Sequence, residues 1–176
     1  MHALLQHLPS VAAEDRERAA KAFVAARGAD LSEAVKGEIV AETLAIVSDQ
    51  RFAPLFDAAS LAEVPVIARL GEGEEAPEVA GQIDRLALLD DEILILDYKT
   101  NRPAPERLQD VAPAYIAQLA AYRAALRGLA TGRALRATLL WTDGPRLMEI
   151  PKDLLDAAEG RMLQTGTSLD GPKTRS

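Results

Sequence analysis

Cysteine is absent from this 176-residue chain. Its absence removes disulfide scaffolds, zinc ribbons, thiol nucleophiles and Cys-held iron–sulfur clusters together. Aromatic residues are scarce at 4%, and the abundance of Ala and Leu favours helices with some sheet. No apolar run approaches the ~18 residues that a membrane span needs, so no membrane association is expected. The opening MHALLQHLPSVAA has no basic n-region and is interrupted by Gln6, His7 and Pro9, which argues against a secretory signal and for a cytoplasmic protein. Positive charge is also short. Twenty Lys and Arg face 27 Asp and Glu, for a net charge of -7, which argues against a free-standing nucleic-acid binder because phosphate affinity comes from Lys and Arg.

What is present suits one globular domain: a hydrophobic content of 48% and a length within the usual ~100–200 residues per domain. The charge is unevenly placed. Residues 1–96 carry 18 acidic and 8 basic side chains, a net of -10, whereas residues 97–136 carry 3 and 7, a net of +4. The basic stretch comprises Lys99, Arg102, Arg107, Arg123, Arg127, Arg133 and Arg136. It reads either as solvated helix faces or as a local anion-binding surface inside an acidic protein.

The apolar spacing predicts helices over residues 2–8 and 11–27, the second stopped by Gly28. Asp30 with Glu33 reads as a variant capping box, opening a helix whose stripe runs through Leu31, Val35, Ile39, Leu44 and Val47. The period then shortens to two. Val64, Val66, Ala68 and Leu70 form a first strand, and residues 71–77 (GEGEEAP) an acidic turn. A second strand is expected to carry Val79, Gly81, Ile83 and Arg85 on one face, with Gln82, Asp84 and Leu86 on the other. Asp90-Asp91 marks a hairpin into EILILDYK, the most apolar strand and therefore central. A polar loop over 100–112 leads to Pro113, well placed at the start of a helix with Tyr115, Leu119, Tyr122 and Leu126 on its stripe. Strands at 135–141 and 146–150 and a helix at 152–163 follow, leaving a small polar tail over 165–176. This order predicts an α/β (α+β) domain over residues 1–164 with one mixed sheet flanked by helices.

The chemistry concentrates on two strands. Asp97 and Lys99 share a face and Tyr98 points away. Asp97 follows ILIL, so its carboxylate lies in or near the apolar layer, where it needs a cation or strong hydrogen bonds. The hairpin brings Asp84 alongside. Two close carboxylates repel unless a proton or metal is shared, and hard oxygen ligands suit Mg²⁺ or Mn²⁺. The plainer reading is an Asp97–Lys99 ion pair at a strand end, with Asp84 facing solvent. A sugar hydrolase built on two acids fits less well, because it would not need the lysine.

GQIDRL, followed by LDYKTNRP and then by YIAQLAAYRAAL, resembles the nuclease module of RecB-family exonucleases in the PD-(D/E)xK superfamily. The likeness is nearest to the C-terminal nuclease domain of AddA-type helicase–nucleases. It implies a restriction-endonuclease-like core and a Mg²⁺-dependent (or Mn²⁺-dependent) DNA exonuclease acting in double-strand-break repair. By this resemblance Asp84 and Asp97 bind metal, the Tyr98 carbonyl completes the shell, and Lys99 is catalytic. His2 caps the metal from an N-terminal helix, and Glu63 is an acid near the site. Gln118 and Tyr122 line the site and hold DNA or the lysine. Arg85 and Arg102 are candidates either for phosphate contacts or for pairing with the acidic loop. The absence of cysteine matches the branch without an iron–sulfur cluster. The expected partners are DNA, a helicase portion of the same polypeptide and a second nuclease or helicase subunit. Only Met1 precedes His2, where the family shows an Arg-Gly pair, so the chain looks like a piece of a longer one. The alternative is a non-catalytic module of the same fold that docks a partner or guides DNA.

Overall fold

In the computed structural model, which describes residues 1–57, 59–71, 76–166 and 169–170, a mixed sheet is sandwiched between two helical layers. The chain opens with helix α1 (His2–His7), then α2 (Arg16–Arg27) and α3 (Glu33–Ser48). Strands β1 (Ser60–Arg69), β2 (Glu78–Leu88) and β3 (Glu92–Lys99) form an antiparallel meander. Helix α4 (Pro113–Leu126) then crosses to β4 (Ala134–Trp141), which lies parallel to β3. Strand β5 (Arg146–Glu149) returns antiparallel on the edge. Helix α5 (Lys152–Thr165) closes the second layer, and β6 (Leu169–Asp170) adds a short parallel pairing to the start of β2. Of the expected polar tail, Thr165 ends α5, Gly166 is its left-handed C-cap and Leu169–Asp170 pair with β2, while residues 167–168 and 171–176 lie outside the described residues. So does most of the acidic turn, at residues 72–75.

Strand β3 is central because it is apolar on both faces. Ile93 and Ile95 pack with Leu119, Tyr122 and Leu126 of α4 and with Leu155 of α5. Leu94, Leu96 and Tyr98 pack with Leu4 and Leu5 of α1 and with Val40 and Ile46 of α3. Burying both faces of a strand removes far more apolar surface than a half-exposed strand can, at ~25 cal/mol per Å². The β3–α4–β4 crossover leaves the carboxyl ends of two parallel strands open at one edge, the usual position for a site in such sheets.

Two expectations are corrected. Helix α3 is capped by Ser32, whose hydroxyl accepts the Val35 N–H at 3.3 Å, rather than by Asp30. Its buried residues are Val40, Thr43, Ile46 and Val47, while Leu31 and Val35 are each 39% exposed. The helix therefore turns its inner face one position away from the stripe read by spacing alone. Strand β2 also does not keep one alternation throughout. Ile83 and Leu86 both enter the α4 layer, whereas Arg85 reaches the Leu5 carbonyl on the α1 side. The parity changes at Asp84, where the β2–β3 ladder stops after Arg85↔Leu96. Opposite, Glu63 sits in the left-handed region with φ of 55°, a strained conformation for a side chain of this size.

Candidate active site

The parity change creates the site. Released from the ladder, Asp84 turns its carboxylate toward β3 and accepts the Tyr98 backbone N–H at 2.7 Å through Oδ2. The neighbouring Tyr98 carbonyl faces His2, whose Nε2–H donates to it at 3.1 Å. The same Nε2 lies 3.5 Å from Asp84 Oδ2. Hydrogen bonding to Asp84 leads the effects that raise the His2 imidazole above its ordinary pKa, although burial opposes them. These groups line a cavity of about 370 Å³ with Glu63, Asp97, Lys99 and Gln118.

Asp97 is almost wholly buried, with its side chain 4% exposed. Burial is the main reason its carboxyl is pushed up to about 6, with Lys99 opposing and Asp84 adding to the rise. The Lys99 ammonium sits 2.5 Å from Asp97 Oδ2 as a buried ion pair. The ammonium is also held by Gln118 Oε1, to which it donates at 3.1 Å, and by the Tyr115 ring, 3.9 Å from its centroid. Gln118 in turn donates through Nε2 to the Tyr122 hydroxyl at 3.2 Å. That hydroxyl donates to the Gln82 carbonyl at 3.0 Å and accepts the Gln82 N–H at 3.3 Å. Tyr122 thus stands behind the cavity and couples α4 to β2, and burial raises its phenol pKa.

This contact explains a glycine. A Cβ on Gly81 would lie 2.6 Å from the Tyr122 hydroxyl and 3.0 Å from ring carbon Cε1. Gly81→Ala is expected to destabilise the fold by about 1–3 kcal/mol through overpacking. Adding Tyr122→Phe, which shortens that side chain, should make the double variant less unstable than the two single losses summed. The coupling is expected at roughly 0.5–3 kcal/mol. Urea midpoints of the four proteins measure it, and simple additivity would refute the contact.

Of the residues singled out by sequence, Asp84, Asp97, Lys99, Tyr98, His2, Glu63 and Gln118 meet at this cavity. Arg85 and Arg102 do not line it. Arg85 is 3% exposed on the opposite face of the sheet, donating to the Tyr98 hydroxyl at 2.8 Å, Ser60 Oγ at 3.0 Å and the Leu5 carbonyl at 2.8 Å. Its buried neighbourhood also leaves the Tyr98 phenol pushed up to about 12, mainly by desolvation. Arg102 pairs with Glu42 of α3 and approaches Asp143 at 3.9 Å, fastening the loop after β3. Gln6 and Gln82 line the cavity and were not singled out. Their pattern signal is weak: Gln6 interrupts an apolar helix, and Gln82 adjoins the carboxylate strand position.

The chain belongs to the PD-(D/E)XK nuclease superfamily, whose model matches residues 1–168. No curated protein matches it. The solved structure of SSO0001 is similar at 16% identity, with a TM-score of 0.41 over 93% of this chain and 74% of that one. Nucleases of this superfamily generally use divalent ions such as Mg²⁺. Among the described residues, no group of three or more His, Asp or Glu side chains forms a ready-made metal cage, and no helix is long and apolar enough to cross a membrane. Besides glutamine amides, the donors at the cavity are three carboxylates (Glu63, Asp84 and Asp97), the His2 imidazole and the Tyr98 carbonyl. Asp84 and Asp97, the latter buried and paired with Lys99, are hard oxygen donors of the kind that Mg²⁺ or Mn²⁺ takes, and they fit such an ion by their chemistry.

Proposed function

We propose that this chain is the nuclease domain of a helicase–nuclease that processes double-strand breaks in the cytoplasm, acting as a Mg²⁺-dependent exonuclease on a DNA strand delivered by a motor. The observation that carries the reading is the meeting of Asp84, Asp97 and Lys99 at one cavity floored by strand ends. Asp84, Asp97, the Tyr98 carbonyl and His2 would hold the ion, which when bound supplies Lewis-acid polarisation of the phosphodiester and of the attacking water. Lys99 contributes a cation whose direction is set by Gln118 and Tyr115. It orients the water and holds a proton near the phosphoryl oxygens. Glu63 adds an acid at the rim whose pKa is raised by burial and then by Asp84, and Gln6 and Gln82 offer neutral donors to a bound strand.

The purified chain, and alongside it any longer polypeptide carrying it, should cleave end-labelled single-stranded DNA with Mg²⁺ or Mn²⁺, and a chelator should stop the reaction. No cleavage by either protein with either ion would overturn the reading and leave the non-catalytic docking module in its place.

A further inference from the structure

The basic stretch of the sequence splits in three dimensions. Lys99 and Arg102 stay near the site, whereas Arg123, Arg127, Arg133 and Arg136 gather at the opposite end of the sheet around a cavity of about 640 Å³, with Lys152. The β3–β4 register pairs Lys99 with Trp141 at one end and Glu92 with Ala134 at the other. Seven residues of strand, at about 3.3 Å each, therefore separate the two cavities by roughly 23 Å.

Five basic side chains line this second cavity against two acidic ones, Glu149 and Asp156, in a chain of net charge -7. Several cations are tied to acids. Arg136 holds Glu92 and Glu149, Arg127 holds Glu159, and Lys152 holds Asp156. Two features are left over. Arg133 is exposed, and its side chain makes no ion pair or hydrogen bond among the described residues, although its backbone N–H donates to the Ala130 carbonyl at 2.7 Å. Arg123 is 5% exposed and commits only Nη2, to Asp156 at 2.5 Å and Glu159 at 3.3 Å, so its buried Nε has no partner. A guanidinium carries five donors, and leaving them idle in a buried position is costly. The first turn of α5 borders the same cavity with Lys152, Leu155 and Asp156. Its N-cap is Pro151, without a side-chain cap, so the positive end of a 14-residue helix adds to the field.

We infer that this cavity binds a phosphate group, with Arg133 and Lys152 as its donors, and with the charge of the buried Arg123 and the uncapped start of α5 behind them. The phosphate comes either from a polynucleotide backbone or from free inorganic phosphate. At about 3.4 Å per phosphate along a stacked strand, roughly seven nucleotides span the distance to the nuclease cavity. A strand held at both ends would be gripped beyond the position of cleavage.

The test uses the intact chain in chelator, so it is independent of catalysis and of the nuclease reading. Affinity for a labelled oligothymidylate of about 20 nucleotides, well beyond the roughly seven needed, is measured across a salt series for wild type and for the Arg133→Ala/Lys152→Ala double variant. Both side chains are exposed, and an unchanged urea midpoint will verify that the variant is folded. The inference expects affinity to fall roughly tenfold and the slope of log K against log salt to shrink by about 0.7, the value for one single-strand phosphate contact. A second arm adds inorganic phosphate and reads the melting midpoint. A rise in wild type that the double variant loses identifies free phosphate as a sufficient ligand. A loss of oligonucleotide affinity without any phosphate effect identifies the polynucleotide. Unchanged affinity, salt slope and phosphate response in the double variant would overturn the site. Nuclease activity with an inert cavity, or a phosphate-binding cavity without nuclease activity, separates failure of this inference from failure of the proposed function.

Discussion

Changing Asp97 to asparagine is expected to abolish metal-dependent cleavage and, in chelator, to make the protein more stable. The two effects have one origin. The carboxylate is buried among apolar strand residues beside Asp84, and its pKa is pushed up to about 6 from 3.8, chiefly by desolvation. That rise already includes the attraction of Lys99, so at neutral pH the charged form opposes folding even with its partner in place. At ~1.36 kcal/mol per pH unit the penalty is about 2–3 kcal/mol, and a neutral isostere removes it. Because the folded value lies above the unfolded one, the folded state binds the extra proton between about pH 4 and 6. The penalty is fully present above that window and vanishes below it. Urea midpoints of wild type and Asp97→Asn should therefore differ at pH 7 and converge as the pH falls toward 4. Cleavage at neutral pH should fall by on the order of 10³ if Asp97 is one of the carboxylates that hold the ion, because the variant lacks the charge that would bind it. Retained cleavage would overturn the catalytic assignment. A variant less stable than wild type would show that Asp97 is there to hold Lys99 in the fold.

Replacing Arg85 with leucine is expected to cost about 3–5 kcal/mol of stability, far more than an exposed arginine would. The guanidinium joins three elements from the side of the sheet away from the cavity: the Tyr98 hydroxyl on β3, Ser60 at the start of β1, and the Leu5 carbonyl at the middle of α1. It also stacks 4.8 Å from the centroid of Phe56. Truncation strands buried acceptors at ~1–3 kcal/mol each. The loss propagates to the site. Helix α1 has only six residues, too few to be stable by propensity, and it carries His2 to the Tyr98 carbonyl. Once α1 loosens, His2 should leave the cavity, and cleavage should weaken although Arg85 touches no substrate. The phosphate-contact role suggested by sequence predicts the reverse: wild-type stability with weaker DNA affinity and a shallower salt slope. Denaturant unfolding together with DNA titration distinguishes the two, and a wild-type midpoint would sink the structural role.

Periodicity and composition determined a great deal of this protein. The run EILIL could lie only at the centre of a sheet, because an apolar strand must bury both faces. Alternation put Asp97 and Lys99 together with Tyr98 behind them, and the hairpin at Asp90-Asp91 set Asp84 beside them. The i, i+4 spacing of Gln118 and Tyr122 carried both to one side of α4, where they form a single hydrogen-bonded path to Lys99. Other assignments were settled only in three dimensions. The face occupied by Arg85 depended on a parity change at Asp84 that a strict two-residue period cannot represent. The need for glycine at position 81 came from the Tyr122 hydroxyl on α4, a residue distant in sequence. Net charge suggested weak attraction for nucleic acid, and charge by segment suggested one basic surface. Folding divided that surface between two ends of the sheet, because consecutive elements travel in opposite directions and side chains close in sequence end up far apart. Local patterns determine which face a residue can occupy within its own element, but what that face meets is decided by packing between distant segments.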